Sequence, residues 1–358
     1  MSFLFDGNEV HMEQKQMNWK RMIIYAVIMA ALAGVTFYVL FKDSSVSEIR
    51  SVIKGANLWF AAAGIGFMCL FTLCEAAIIR GLLRIFRRRI PWSRAWQYSF
   101  AGFYFSSITP SATGGQPMQF YYMTRDGLNG AQSTFTLLTV TACYQMAVLV
   151  YGTLSIFINY QYIKGLPSII HWLILLGILA NGLAALFILA VIFSRRPVEK
   201  GVLKVLSVLH RLHLVKDREK AAARMEELME EYSQGGVYLR SNPLVFLKVM
   251  VYTFLQLTFL YLSSYCACLA LGLAQVPVHR FLMMQAVLSL AVSAVPLPGS
   301  VGASESSFLI LFGSLFTPGQ VLPVMLMARG ISFYSFLVIS GLVVLYLQFH
   351  RRFFAFPS

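Results

Sequence analysis

Long stretches without charged residues alternate along the chain with short basic segments. One stretch runs from Met22 to Phe41, and the next runs from Gly55 to Ile79 with Glu75 as its single charge. An α-helix rises about 1.5 Å per residue, so about 20 apolar residues cross the core of a bilayer. Further spans are expected within residues 133–158, 168–193, 244–272 and 320–348. The pattern predicts an all-α polytopic membrane protein.

The composition agrees with a membrane protein. Of the 358 residues, 58% are hydrophobic and 12% are charged, which is about half the charged fraction of soluble domains. The first 21 residues are mostly polar, so the first span is predicted to be a signal anchor and not a cleaved signal peptide. The cysteines lie inside apolar stretches and are expected to pack without forming disulfides: Cys69, Cys74, Cys143, Cys266 and Cys268.

Positive charges give the predicted orientation, because cytoplasmic loops are enriched in Lys and Arg. The segment from Arg80 to Arg94 has six arginines and no acid, and residues 195–240 have ten Lys or Arg against seven acids. Both segments are therefore placed in the cytoplasm. Since successive spans alternate in direction, both termini are also predicted to be cytoplasmic.

Two stretches are too short for a pair of full crossings. Residues 98–130 begin and end inside in this scheme, yet they hold only about 30 apolar residues where two crossings need about 40. Residues 280–318 begin and end outside. We predict a re-entrant helical hairpin in the first stretch. In the second we predict either a hairpin from the opposite face or two short tilted helices.

Each short stretch contains a Pro- and Gly-rich core. The cores are Ile108-Thr-Pro-Ser-Ala-Thr-Gly-Gly-Gln-Pro117 and Val295-Pro-Leu-Pro-Gly-Ser-Val-Gly-Ala-Ser-Glu305. Proline removes a backbone N–H and glycine permits positive φ, so a helix should break in each core. Unwound backbone at membrane depth is tolerated only inside protein or beside a wet cavity. The alternative is that these residues only kink helices for close packing.

The two cores match at a constant offset of 188 residues. The matching pairs are Pro110 with Pro298, Gly114 with Gly302, Gly115 with Ala303, and Gln116 with Ser304. We therefore predict an inverted repeat of transmembrane helices with two broken or re-entrant helical hairpins. Its halves are residues 1–193 and 244–358, and a cytoplasmic basic linker over residues 194–243 joins them.

The linker is predicted to contain a surface amphipathic helix. Between Arg218 and Tyr232 the apolar residues recur at helical spacing, and Gly235-Gly236 is expected to end that helix. His210 and His213 are spaced three residues apart, but no nearby acid or cysteine pattern supports a metal site.

Three ionisable residues lie deep in the predicted membrane domain, where a charge costs about 2.5–3.5 kcal/mol or more. Arg329 is a candidate ligand of a lipid phosphate, because its planar set of donors matches phosphate oxygens. Glu75 and Glu305 are candidates to attract an ammonium headgroup. Internal pairing is the alternative, either between Glu305 and Arg329 or between Glu75 and Arg80.

Further candidate substrate-binding residues come from the cores and from the segment after the first core. Helix N-termini in the cores can bind anionic groups such as phosphate. Arg125 and Asp126 follow near the predicted interface, where ordinary interfacial charges are the alternative. The candidates in the cores are Thr113, Gly114, Gly115, Gln116, Gly302 and Ser304.

Searches for catalytic motifs find no Walker A loop, HExxH or GxSxG. An ATP-driven pump is disfavoured, and neither a cofactor nor a metal is expected. The basic residues flank predicted spans, where they contact anionic lipid headgroups. The expected partner is therefore a membrane phospholipid, and no nucleic acid is expected to bind.

The segments Thr109-Pro-Ser-Ala-Thr-Gly-Gly-Gln116 and Pro298-Gly-Ser-Val-Gly-Ala-Ser-Glu305 resemble the hallmark segments of a known family. It is the transmembrane region of the lysylphosphatidylglycerol synthase and flippase family, the bacterial multiple peptide resistance factors. The resemblance implies a lipid translocase, flippase or scramblase-like, in the bacterial plasma membrane. Its passenger would be a phospholipid such as aminoacyl-phosphatidylglycerol, whose export gives resistance to cationic antimicrobial peptides.

In full-length relatives a separate soluble domain transfers the amino acid from tRNA, and no such domain is expected in this chain. Whether the chain is an enzyme is left open. One alternative is a phosphatidylglycerol lysyltransferase family member that acts with a separate aminoacyltransferase. The others are a transporter of another amphiphile and a structural partner of a synthase. Association into a homo-oligomer is also left open.

Overall fold

The computed structural model describes residues 54–193 and 232–353, where α-helices are joined by short turns. Residues 232–241 are among the helical ones. The first range contains α1 (Leu58–Leu83), α2 (Trp92–Ile108), α3 (Gly115–Arg125), α4 (Gly130–Ile158), α5 (Tyr160–Lys164) and α6 (Ser168–Phe193). The second contains α7 (Pro243–Ala270), α8 (Val278–Val292), α9 (Ala303–Phe312), α10 (Pro318–Arg329) and α11 (Phe336–Phe353).

Five helices in these ranges are long and apolar enough to cross a membrane. They are α1 with the turn after it, α4, α6, α7 and one continuous helix over Gly319–Gln348. In the last of these, a π-helical segment over Gly330–Ser335 joins α10 to α11. Each helix coincides with a predicted span, so the prediction of an all-α polytopic membrane protein is confirmed. The predicted span over residues 22–41 lies outside the described residues.

Asparagine side chains cap two of these spans. The Oδ1 atom of Asn57 accepts a hydrogen bond from the N–H of Trp59 at 3.0 Å, and that of Asn129 accepts one from Ala131 at 2.8 Å. An N-cap of this kind satisfies a backbone donor that the first helical turn leaves free. The starts of α1 and α4 therefore follow from the asparagine that precedes each apolar stretch.

The prediction that Gly235-Gly236 ends a helix is wrong, because residues 232–241 form a continuous helix. A Cβ at Gly235 would lie 2.8 Å from the ring of Phe86, and one at Gly236 would lie 2.4 Å from the carbonyl oxygen of Ile192. The glycines allow close packing, which here outweighs their low helix propensity. Residues 194–231, most of the predicted linker, lie outside the described residues.

Helices α1 and α7 make the most extensive contact in the described structure and run antiparallel. The N–H of Asn57 precedes α1 and donates to the carbonyl oxygen of Ala270, at the end of α7, over 2.8 Å. Gly64 permits the close approach, since a Cβ there would lie 3.1 Å from the carbonyl oxygen of Ser263. Because α1 and α7 belong to different predicted halves, the halves meet along this pair.

The two short stretches form helical hairpins. Helices α2 and α3 pack together as hairpin 1. At the open end of this hairpin, where α2 begins and α3 ends, Arg94 Nη1 and Asp126 Oδ1 form an ion pair 3.0 Å long. Helices α8 and α9 pack together as hairpin 2. There the rings of Phe281 and Phe312, with centroids 4.8 Å apart, join the open end.

The hairpins open toward opposite ends of the α1–α7 pair. Hairpin 1 follows the end of α1 and hairpin 2 follows the end of α7, and these ends lie opposite because the two helices are antiparallel. At their closed ends, the turns of the two hairpins pack against each other. An inverted repeat requires this arrangement. The membrane face on which each hairpin starts stays a prediction.

Candidate functional site

The turns of the two hairpins begin with the same backbone geometry. Thr109 has φ −111° and ψ 146°, and Leu297, at the offset of 188 residues, has φ −112° and ψ 147°. A proline follows each residue, and a 3-10 turn covers Pro110–Ala112 in hairpin 1 and Pro298–Ser300 in hairpin 2. The predicted helix breaks at both prolines are therefore confirmed, and the sequence match extends to local structure.

Left-handed backbone occurs in both turns. Ser111 and Ala112 have φ of 51° and 54°, and Gly299 and Ser300 have φ of 57° and 51°. A non-glycine residue in this region carries about 1–2 kcal/mol of strain, which persists only where the surrounding structure holds it. At Gly299 a side chain is also excluded by space, because a Cβ would lie 2.4 Å from the ring of Phe333.

A cavity of about 560 Å³ lies between the hairpins and the spans α1, α4, α7 and α10. Both turns reach it, through residues 111–113 of hairpin 1 and through Gly299 and Ser300 of hairpin 2. Tyr144 and Gln256 line it from the middle of α4 and α7. Its volume falls within the range of about 300–1,000 Å³ that is usual for small-molecule sites. The unwound backbone thus borders a polar cavity, as expected from its sequence.

Uncharged polar side chains dominate the polar part of the cavity lining. They include Gln116, Gln119, Gln145, Gln256, Gln285, Thr141, Ser264, Ser289, Ser304 and Ser332. Of these, only Gln116 and Ser304 were predicted from the sequence to bind a substrate. Glutamine inside an apolar stretch is the signal that was missed, because a buried amide needs hydrogen-bond partners and so indicates a polar space.

Glu75 lines the cavity from α1, where two amides hold its carboxylate. Gln119 Nε2 donates to Oε1 at 2.5 Å, and Gln256 Nε2 donates to Oε2 at 3.4 Å. Gly102 leaves room for Gln119, since a Cβ there would lie 2.3 Å from the amide nitrogen. The alternative that Glu75 pairs with Arg80 is wrong, because the Nε of Arg80 donates to a backbone carbonyl oxygen in the following loop at 3.0 Å.

Arg329 joins α10 to hairpin 2 at the wall of the cavity. Its Nε donates to Glu305 Oε1 at 2.6 Å, and its Nη2 donates to the carbonyl oxygen of Gly299 at 3.0 Å. The guanidinium carbon lies 4.4 Å from the ring centroid of Phe333. Glu305 is buried and its Oε2 accepts the N–H of Gly302 at 2.6 Å. Internal pairing of Glu305 with Arg329 is therefore confirmed, while Arg329 still faces the cavity.

The π-helical segment begins directly after Arg329 and was not predicted from the sequence. The Oγ of Ser335 donates to the carbonyl oxygen of Gly330 at 2.6 Å, five residues earlier. Insertions of this kind are frequent at functional sites because the extra residue redirects side chains. Here Ser332 and Phe333 line the same cavity as Arg329.

The remaining candidates of hairpin 1 divide into two groups. Thr113 and Gln116 line the cavity, and Gln116 donates to the hydroxyl of Thr141 on α4. Gly114 and Gly115 provide close packing, since a Cβ at these positions would lie 2.6 Å and 2.0 Å from side chains of α2 and its C-terminal cap. The two glycines shape the turn and do not present a side chain to a ligand.

Arg125 and Asp126 lie at the open end of hairpin 1, and the structure does not bring them to the cavity. The guanidinium of Arg125 lies over the ring of Tyr121, 6.0 Å from its centroid. Asp126 accepts hydrogen bonds from Arg94 at 3.0 Å and from the hydroxyl of Tyr98 at 2.6 Å. Asp126 therefore joins the start of α2 to the end of α3.

Comparison with known proteins gives one family. The family described as the lysylphosphatidylglycerol synthase TM region matches residues 23–341, a range that includes both hairpins, four of the five spans described above and most of the fifth. No curated protein matches the chain. The family match supports a lipid-related role in a membrane. The chain therefore belongs to the lysylphosphatidylglycerol synthase transmembrane-region family.

Proposed function

We propose that this protein is a lipid translocase that moves a phospholipid headgroup through the cavity between its two hairpins. The observation that carries the proposal is a cavity of about 560 Å³ with many polar side chains in its wall, bordered by four of the five potential membrane-crossing helices and by two broken hairpins. Polar groups without partners cost several kcal/mol in hydrocarbon, so a path with hydrogen-bonding walls lowers the barrier for a headgroup. The acyl chains would stay in the lipid.

Arg329 is the proposed contact of the lipid phosphate. A guanidinium has five N–H donors, and here Glu305 and Gly299 accept two of them. The ion pair with Glu305 orients the side chain toward the cavity, which leaves further donors for phosphate oxygens. The turn of hairpin 2 thereby contributes to the site by positioning Arg329.

The expected passenger is aminoacyl-phosphatidylglycerol in a bacterial plasma membrane, with both termini of the protein in the cytoplasm. The family match supports this choice of lipid class. An amino acid added to phosphatidylglycerol contributes positive charge, and its appearance in the outer leaflet weakens the attraction of cationic peptides. The proposed role in the cell is resistance to such peptides.

The experiment is reconstitution of the full chain into liposomes that contain fluorescent anionic, zwitterionic or aminoacylated phospholipids. A membrane-impermeant quencher then reports which leaflet each lipid occupies. We expect exchange faster than in protein-free liposomes, with the fastest rate for the aminoacylated lipid. Equal rates with and without protein for all three lipids would reject the proposal. Fast exchange of another amphiphile alone would identify a different passenger.

Two matched substitutions test the site. Arg329→Lys keeps the charge but removes planar donors, so exchange should slow about tenfold or more, since one charged hydrogen bond contributes about 1.5–3 kcal/mol. Arg125→Lys is the same change on an exposed arginine outside the cavity and should leave the rate unchanged. Equal effects of the two substitutions would contradict the role assigned to Arg329.

A further inference from the structure

The carboxylate of Glu75 lies in the cavity wall with neutral partners. Gln119 and Gln256 donate amide N–H groups to its two oxygens at 2.5 Å and 3.4 Å. Neither amide cancels the negative charge. Glu305, by contrast, is paired with Arg329 at 2.6 Å. The charges of that pair cancel, so among the described residues that line the cavity Glu75 contributes an uncompensated negative charge.

Charged groups on α1 and α2 are directed elsewhere. On α1 itself, Arg80 donates to the carbonyl oxygen of Ile90 at 3.0 Å and lies 4.7 Å from the ring centroid of Trp92. On α2, Arg94 binds Asp126 at 3.0 Å. These cations therefore do not neutralise Glu75.

No hydrogen bond or ion pair joins a cation to Glu75 within the part of the chain that the structure describes. The π-helical segment also packs against α1, and Arg329 before it is paired with Glu305. On α7, Lys248 is exposed and precedes Gln256 by about two helical turns, and Arg84 in the turn after α1 is exposed as well. On α4, Tyr144 is the titratable residue that lines the same cavity. Helix α3 contributes the neutral Gln119.

Two amide oxygens of residues in the cavity wall also lack donors among the described residues, and one of them belongs to a partner of Glu75. Gln256 is 2% exposed, and its Oε1 atom has no hydrogen-bond partner among the described residues. The Oε1 atom of Gln285 is likewise without a partner there, and both side chains line the cavity. A carboxylate together with free amide oxygens forms a set of acceptors, which suits a cationic group that carries several N–H donors.

We propose that Glu75 is an exchange site that binds a proton in the unloaded cavity and gives it up to a primary ammonium group on the passenger's headgroup. A buried carboxylate without a counter-charge is costly, so the site favours one of these two neutral states. The O–H bond of the carboxylic acid breaks, its proton passes to water, and the carboxylate then accepts hydrogen bonds from the ammonium group. The Glu75 site is therefore neutral both before and after the exchange.

This inference rests on the proposed function, because it takes the cavity as the path of the headgroup. It adds a coupling mechanism. Each ammonium headgroup that enters displaces a proton, and each one that leaves allows a proton to bind. A proton gradient would therefore bias the direction in which an amine-bearing lipid moves. A lipid without an amine would exchange with no such bias.

The test is proton release on binding, measured by titration calorimetry of the full chain in detergent in two buffers of different ionisation enthalpy. The probe is a short-chain phosphatidylethanolamine, and its N-acetylated form is the control ligand. Wild type should release up to about one proton per bound amine lipid at acidic pH. Glu75→Gln should release none, whereas Glu75→Asp should restore release. Asp126→Asn, a matched change outside the cavity, should retain it.

No proton release by wild type at any pH, or no binding of the amine lipid, would overturn the proposal. So would equal release with the acetylated lipid or with Glu75→Gln. Release with free ethanolamine but not with the lipid would reject the headgroup as the ligand. Lipid exchange in liposomes without proton release would leave the translocase proposal standing and reject the exchange site. Proton-linked binding without lipid exchange would reject the translocase proposal and leave the exchange site standing.

Discussion

The charges of Arg329 and Glu305 depend on each other at a buried position. Glu305 is 3% exposed, and the Nε–Oε1 distance is 2.6 Å. Removal of one member of a buried pair leaves the other charge uncompensated, which costs about 3–5 kcal/mol, whereas apolar replacement of both is often close to neutral. The pair therefore positions the turn of hairpin 2 and contributes little net stability.

At this scale we predict a non-additive double substitution. Arg329→Met should lower the free energy of unfolding by about 3–5 kcal/mol, because it leaves Glu305 buried and unpaired. Arg329→Met combined with Glu305→Met should cost less than Arg329→Met alone. Denaturant unfolding in detergent measures both values. A double variant that loses the sum of the two single effects would contradict the interpretation.

Hairpin 1 depends on the close approach of α3 to α2. A Cβ at Gly115 would lie 2.0 Å from a serine hydroxyl and 2.8 Å from the carbonyl oxygen of Gly102. The backbone atom cannot move without distorting α2. Gly66 of α1 offers a contrast, because a Cβ there would meet no atom within 4 Å.

These two glycines give a matched prediction at the scale of the element. Gly115→Ala should destabilise the protein by about 1–3 kcal/mol through overpacking. Gly66→Ala should be neutral or stabilise it by up to about 1 kcal/mol, because alanine is the better helix former. Thermal unfolding of the two variants in the same detergent provides the comparison. Equal midpoints would show that the hairpin tolerates a wider separation.

The elements could be predicted from the sequence where length and charge decide the outcome. Residues 168–193 coincide with α6 because an apolar stretch bounded by polar segments can hardly form anything else in a membrane. The breaks at Pro110 and Pro298 followed from proline chemistry. The π-helical segment after Arg329 was not predicted, because the apolar sequence around it is continuous; in the structure its Phe333 ring lies beside Gly299 of hairpin 2. A helix end was wrongly predicted at Gly235-Gly236, because glycine occurs both at helix ends and inside helices that pack closely together.

The site was only partly predictable for a related reason. Charge alone identifies Glu75, Glu305 and Arg329 as residues that need an explanation at membrane depth. Which of them pair depends on how the chain folds back, and that information is absent from local sequence. The amides of Gln119 and Gln256 passed unnoticed because an uncharged residue costs less in an apolar helix than a charge.

For the whole molecule, the antiparallel α1–α7 pair relates the two hairpins. Hairpin 1 opens beside the arginine-rich segment after α1, and hairpin 2 opens at the opposite end of the pair. If that segment is cytoplasmic, hairpin 2 starts on the outer face. The internal geometry relates the two hairpins to each other, and the choice of the cytoplasmic face remains a prediction from the positive-charge rule.

Labelling of engineered cysteines tests this orientation. Arg88→Cys lies in the exposed turn after α1, and Gln161→Cys lies in the exposed segment after α4, toward the opposite end. A membrane-impermeant maleimide added to intact cells should label the second variant but not the first. Inverted vesicles should give the opposite result. Wild type is the background control, because four of its five cysteines are buried and Cys69 is partly buried.

The five glutamines of the cavity have a consequence for how fast a headgroup would move through it under the proposed function. Each amide both donates and accepts hydrogen bonds, so a moving headgroup can trade one partner for the next as it does in liquid water. No single hydrogen bond would then hold the headgroup strongly enough to slow its movement. Under the proposed function, such a wall would favour fast exchange with little selectivity among headgroups, and selectivity would depend on the two charged residues of the lining, Glu75 and Arg329.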